Sequence, residues 1–142
     1  MILHTSSRDW DLRFLRLARE VSTWSKDAST KVGAVIVDPR KHIVSVGYNG
    51  FPASLRDDYN ITREEKLART VHAEMNALLN APLGIPVKST LYVYPLPPCD
   101  VCFLHLLSQR IRRVVHLSMS DAHRERWGSA FERTQALASE AG

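Results

Sequence analysis

Cysteine is scarce in this chain of 142 residues: there are two, Cys99 and Cys102. One pair in a chain this long argues against a disulfide scaffold, which packs several bridges into a short secreted domain. Long apolar runs are missing too. None approaches the ~20 residues that span a bilayer, so no transmembrane helix is expected. Residues 1–11 are polar and lack the apolar core of a secretory signal, so a cytoplasmic location is expected. No repeat, low-complexity stretch or interdomain linker interrupts the sequence. A single domain, residues 1–142, is the expectation, with enough length for one sizeable core. The composition, 44% hydrophobic and 24% charged, is that of an ordinary globular protein.

The charge is +4, and 14 of the 19 basic residues are arginine. The planar guanidinium fork suits phosphate. A nucleotide or a nucleic acid is therefore a candidate partner, against a plain basic surface with no specific one.

The apolar pattern gives an order of elements. Residues 9–24 carry Trp10, Leu12, Phe14, Leu15, Val21 and Trp24 near helical spacing, with Asp9 as the expected N-cap. Residues 33–38 and 42–48 are β-branched runs joined by a short turn, a hairpin with a buried first strand. A loop follows over 49–62, then a short charged helix over 63–69 and a longer helix near 71–80. Strands at 89–94 and 112–117 flank a helix at 100–110, and a final helix covers 122–138. Strand–helix–strand crossovers of this kind build a mixed sheet with helices on both faces.

Two stretches carry the chemistry: VHAEMNALL at 71–79 and PPCDVC at 97–102. Cys-x-x-Cys alone is a redox pair or half a metal site. A histidine two residues before a glutamate, followed by Pro-Cys-x-x-Cys, is the signature of zinc nucleobase deaminases. Here it is His72, Glu74, Pro98, Cys99 and Cys102. A catalytic Zn²⁺ takes three protein ligands and keeps a fourth position for water. One imidazole and two thiolates meet that need and cancel the metal's charge. Pro98 is expected to start the following helix, placing both cysteines where the helix dipole favours thiolate.

The spacing of His72 and Glu74 sets a constraint. Within one helix they would point about 200° apart. The helix must therefore begin close to His72, with residues 63–69 as a separate segment. Glu74 is then the acid/base candidate beside the zinc-activated water, passing its proton to a ring nitrogen and to the departing ammonia. His42, His105, His116 and His123 are scattered and expected to be structural or on the surface.

Beyond the metal motif, residues 24–52 carry Ser-Lys-Asp, Val-Gly-Ala-Val-Ile-Val and Gly-Tyr-Asn-Gly-Phe-Pro, and residues 89–102 read STLYVYPLPPCDVC. With these, the chain from about 10 to 117 resembles the cytidine and deoxycytidylate deaminase superfamily, most of all its dCMP deaminases. The resemblance implies a three-layer α/β/α sandwich around a mixed sheet. It also implies conversion of dCMP to dUMP and ammonia, with Asn49 near the substrate's sugar and Lys26 near its phosphate. Ala73 and Pro98, beside the ligands, are further substrate-binding candidates. The likeness brings with it a homo-oligomer, a hexamer or a dimer, and dCTP and dTTP as effectors. The sequence departs from the family in three places. Ala53, Ser54 and Leu55 follow the Gly-Tyr-Asn-Gly-Phe-Pro stretch where relatives often carry glycine. The stretch from Val93 to Cys99 is one residue longer than in many relatives. The sequence stops at SEAG where relatives continue into a last strand, so the expectation is either that the fifth strand is absent or that the chain is trimmed.

The rival functions are deamination of another small substrate (CMP, cytidine, free base, a modified cytosine nucleotide or guanine), editing of a nucleic acid, and a non-catalytic zinc protein. Editing would use Arg110, Arg112 and Arg113, whose plainer role is a solvated strand edge. A structural zinc would need a fourth ligand and no glutamate.

Overall fold

The structure is a computed structural model that describes residues 8–142 and the backbone of Ile2–His4. Ten elements follow in order: β1 (Ile2–His4), α1 (Asp9–Ser22), β2 (Gly33–Val37), β3 (Ile43–Tyr48), α2 (Arg63–Arg69), α3 (Ala73–Leu79), β4 (Thr90–Tyr94), α4 (Asp100–Ser108), β5 (Arg113–Val115) and α5 (Asp121–Ala141). The strands form one sheet in the order β1-β5-β4-β2-β3. It is mixed: β2 runs antiparallel to β3 and β4, whereas β4, β5 and β1 are parallel.

Alternation along the strands divides the core in two, as a period of two residues requires. Ala34, Ile36, Leu91, Val93 and Val114 face one side, where they meet Ala73 and Ala77 of α3, Phe103 and Leu106 of α4 and Ala138 of α5. Val35, Val37, Tyr92 and Val115 face the other, against Phe14, Leu15, Ala18 and Val21 of α1. Helices thus cover both faces of the sheet, the three-layer α/β/α arrangement that the sequence implies. β4 is the central strand, and beside it β2 has all five of its residues buried.

Four strands are those expected. A fifth, β1, was not expected: it comes from the start of the chain and pairs with β5 at the sheet edge, from Ile2↔Arg113 to His4↔Val115. Residues 1–11 read as polar, so no pattern announced this strand. Two expected helix starts move. Arg8, not Asp9, holds the N-cap of α1, and Asp9 and Asp11 lie in its first turn. The first helical residue of α4 is Asp100, not Pro98, and Cys99 is its N-cap: its backbone is extended and its sulfur accepts the N–H of Cys102. A side chain that can accept at the N-cap outcompetes proline's preference for the first helical position.

Arg113 is also reassigned. It does not belong to a solvated edge, for its guanidinium pairs with Asp11 at 2.8 Å. Asp11 is 3% exposed and also accepts the Tyr92 hydroxyl at 2.6 Å. This contact joins α1, β4 and β5 within an apolar layer. Burial and the Asp11 carboxylate keep the Tyr92 phenol protonated. Glycine marks two close approaches. A Cβ on Gly33 would lie 2.1 Å from the carbonyl oxygen of Ala18, and one on Gly47 would lie 2.3 Å from the amide nitrogen of Ala77. Hydrogen at Gly47 lets α3 sit directly on β3, where Ser45 also donates to the Ala77 carbonyl at 2.6 Å.

Two outcomes follow from this packing. Asp11→Ala leaves a half-buried guanidinium without this carboxylate, and unfolding free energy in urea should fall by about 2–4 kcal/mol. Gly47→Ala pushes α3 off the sheet, so the midpoint of thermal unfolding should drop and zinc content, read by atomic absorption, should drop with it. A Gly47→Ala protein with unchanged zinc content would refute the seating role.

Candidate active site

Three local structures bring the donors together. The chain breaks between α2 and α3: Thr70 and His72 are extended, and His72 is the N-cap of α3. An isolated bridge between Gly50 and Val71 ties the break to the end of β3. The helix therefore begins where the spacing of His72 and Glu74 demands it, and no continuous helix runs from 63 to 80. On the other side, the turn after β4 delivers Cys99 and Cys102 from the first turn of α4.

The result is a compact donor set. His72 Nδ1 lies 3.5 Å from Cys99 Sγ and 3.4 Å from Cys102 Sγ. All three donor atoms fall within 4.8 Å of one another. Tetrahedral zinc with its usual bond lengths puts nitrogen and sulfur about 3.5 Å apart. The donor types and the spacing both fit that ion, and zinc is the cofactor that the site is built for. Hydrogen bonds from Cys102 and His72 hold the Cys99 thiol down to about 4, while its bond to Cys99 pushes Cys102 up. The bond to Cys99 likewise raises His72.

Glu74 lies one residue inside α3, 4% exposed. Burial raises its carboxyl to about 7. It lines the same cavity as His72 and Cys99, whose volume is about 130 Å³. A carboxyl that exchanges protons near neutrality beside a three-ligand zinc site can act as both base and acid.

Asn49, Ala73 and Pro98 line this cavity too. Asn49 is buried at the end of β3 and holds the neighbouring loop: its side chain accepts from Val32 N at 2.8 Å and donates to Thr30 O at 2.8 Å. An amide has two donors and two acceptor lone pairs, so one of each remains for a ligand. Lys26 is elsewhere. It does not line the cavity; it is exposed and paired with Asp57. The other histidines also lie away from the donor set. His42 pairs with Asp38, His105 reaches the Val101 carbonyl, and buried His116 packs its ring edge on Phe131.

The walls hold residues that the motifs did not indicate. Arg63 and Lys66 come from α2; Arg126, Trp127 and Phe131 come from α5. Trp127 and Phe131 share a helix face at i, i+4, a spacing that was visible but reads equally well as core. Lys66 binds Asp27 at 3.1 Å and Ser29 Oγ at 3.0 Å. Burial alone would raise Asp27, but the amides of Ser29 and Thr30 and the Lys66 ammonium hold it below the usual carboxylate range.

Known proteins share this arrangement. The chain is 44% identical over 114 residues to a probable deoxycytidylate deaminase of Caenorhabditis elegans, covering 77% of this chain and 57% of that protein. An uncharacterized deaminase of Aliivibrio fischeri is 36% identical over 137 residues, 94% of this chain and 89% of its own length. The chain thus spans little more than half of the nematode relative. Among solved structures, a dCMP deaminase of cyanophage S-TIM5, crystallised with dCMP and dUMP, superposes with a TM-score of 0.72. Its identity is 21%, over 94% of this chain and 95% of that one, so the likeness is one of fold. The family model for the cytidine and deoxycytidylate deaminase zinc-binding region matches residues 8–118, which hold every donor described above, and the chain belongs to that family.

Proposed function

We propose that this protein hydrolyses the amino group of a cytosine nucleotide, converting dCMP and water to dUMP and ammonia. The observation that carries the reading is the convergence of His72, Cys99 and Cys102, with His72, Cys99 and buried Glu74 lining one cavity. The names of the relatives support dCMP as the substrate.

In this reading His72, Cys99 and Cys102 hold zinc. Bound zinc would lower the pKa of a coordinated water so that it ionises near neutral pH. Glu74 performs the proton work. Its carboxylate oxygen accepts a proton from the attacking water and passes it to N3 of the pyrimidine. A second transfer through the same carboxyl reaches the exocyclic nitrogen, which leaves as ammonia once the C4–N bond breaks. Asn49, through its remaining donor and acceptor, orients the sugar, and the backbone around Ala73 and Pro98 borders the base. The apolar wall of Trp127 and Phe131 keeps bulk water from the ring.

Nucleic-acid editing has less support, since Arg113 is committed to Asp11. No helix among the described residues is long and apolar enough to cross a membrane. A homo-oligomer, a cytoplasmic setting and control by dCTP and dTTP complete the reading; light scattering with and without each triphosphate tests the first and the last.

Zinc-loaded protein offered dCMP, CMP, deoxycytidine, cytosine and guanine should release ammonia fastest from dCMP. Turnover confined to the free base or the nucleoside would overturn the assignment. Glu74→Gln should lower kcat on dCMP by about 10²–10⁴-fold while zinc content stays at the wild-type level.

A further inference from the structure

The mouth of the cavity carries an uneven distribution of charge. Three cations line it, Arg63 and Lys66 on α2 and Arg126 on α5, with two carboxylates, Asp27 and Glu74. Lys66 and Asp27 neutralise each other, with both side chains largely buried. Glu74 sits inside, next to the metal donors. Arg63 and Arg126 remain: among the described residues neither forms an ion pair. Both are exposed, and both line the cavity, one from each helix. The Arg126 guanidinium lies 5.1 Å from the centre of the Trp127 ring, which holds it over the aromatic wall.

We infer that Arg63 and Arg126 are the specificity determinants for the anionic end of the substrate, gripping a 5′-monophosphate between α2 and α5. This inference rests on the proposed deamination. Glu74 is buried, whereas Arg63 and Arg126 are exposed, so a ligand whose ring reaches Glu74 extends its other end toward the solvent side of the cavity where the arginines lie. Two unpaired guanidiniums are the donors that a phosphate dianion fits, with several N–H groups arrayed for its oxygens. Lys66 is a strut: Asp27 and Ser29 use its ammonium, and its role is to brace α2 against the loop that Asn49 also ties down. Lys26, paired with Asp57 outside the cavity, is not part of the grip.

The test separates phosphate recognition from chemistry. For wild type, Arg63→Ala, Arg126→Ala and the double variant, kcat and KM are measured on dCMP and on deoxycytidine. The affinities of dUMP and deoxyuridine are measured in parallel by calorimetry. Each single change should raise KM for dCMP, and weaken dUMP, by about ten- to a hundred-fold, the size of a charge-assisted contact. Values of kcat should move far less, and deoxycytidine and deoxyuridine should be affected several-fold less than their phosphates. Lys26→Ala should leave the phosphate preference as in wild type. Equal losses for phosphorylated and unphosphorylated ligands would overturn the inference, as would a preference that survives the double change or vanishes with Lys26→Ala. If wild type binds dUMP through these arginines but does not turn over dCMP, the deaminase reading fails and the phosphate grip stands.

Discussion

On a continuous helix His72 and Glu74 would project to opposite sides, and no metal held by one could serve the other. The break at residues 70–72 removes that conflict. Thr70 and His72 take extended backbone angles, the Val71–Gly50 bridge pins the segment between them, and α3 starts afresh at Ala73. His72 then leans toward the two sulfurs while Glu74, within the first turn, enters the same cavity. Everything that positions the break matters to the chemistry. Gly47 lets α3 lie against β3 without a Cβ between them, and Ser45 fixes the carbonyl of Ala77. Asn76 reaches back to the carbonyl of Tyr48 at 2.8 Å. The helix that carries Glu74 is thus fastened to the sheet edge along most of its length.

The second half of the site obeys a similar rule with different means. β4 is flanked by strands on both sides, and its middle residues Leu91, Tyr92 and Val93 are buried. Its C-terminal end therefore comes at a fixed place in the molecule. The turn that follows carries Cys99 to the start of α4, where its sulfur caps the helix through the N–H of Cys102. The same atom is a cap and, in the proposed reading, a metal donor. Local folding of α4 and assembly of the donor set are one event, so zinc binding and stability should be coupled in this domain.

What the sequence made legible follows from how local each signal is. The break before His72 was dictated by a two-residue spacing and the angular step of a helix, and the structure contains it. β2, β3, β4 and β5 showed as apolar, β-branched runs. β1 did not, because its residues sit in a stretch that reads as polar and its partner β5 lies more than a hundred residues away. Arg113 looked like a surface residue because its partner, Asp11, is equally distant in sequence; nothing near either residue indicates the contact. Lys26 lies beside Asp27, which does line the cavity, yet the Lys26 side chain pairs with Asp57 outside it. Arg126 and Trp127 had no motif, and their role depends on where α5 crosses the mouth.

These failures have a common physical origin. The residues legible in the sequence sit on elements pressed into the core. α3 buries Ala73, Glu74 and Ala77, and α4 buries Cys102, Phe103 and Leu106. Chemistry placed there is held by packing and must keep fixed residue types at fixed spacing. The walls of the cavity belong to α2, which buries no residue, and to α5, which buries Thr134 and Ala138 along its 21 residues. Side chains on such elements can change at little expense to the fold, because few buried contacts depend on them. Reaction type is therefore bound to the core and written as a motif. Discrimination among substrates is bound to the periphery, where it is written only in three dimensions.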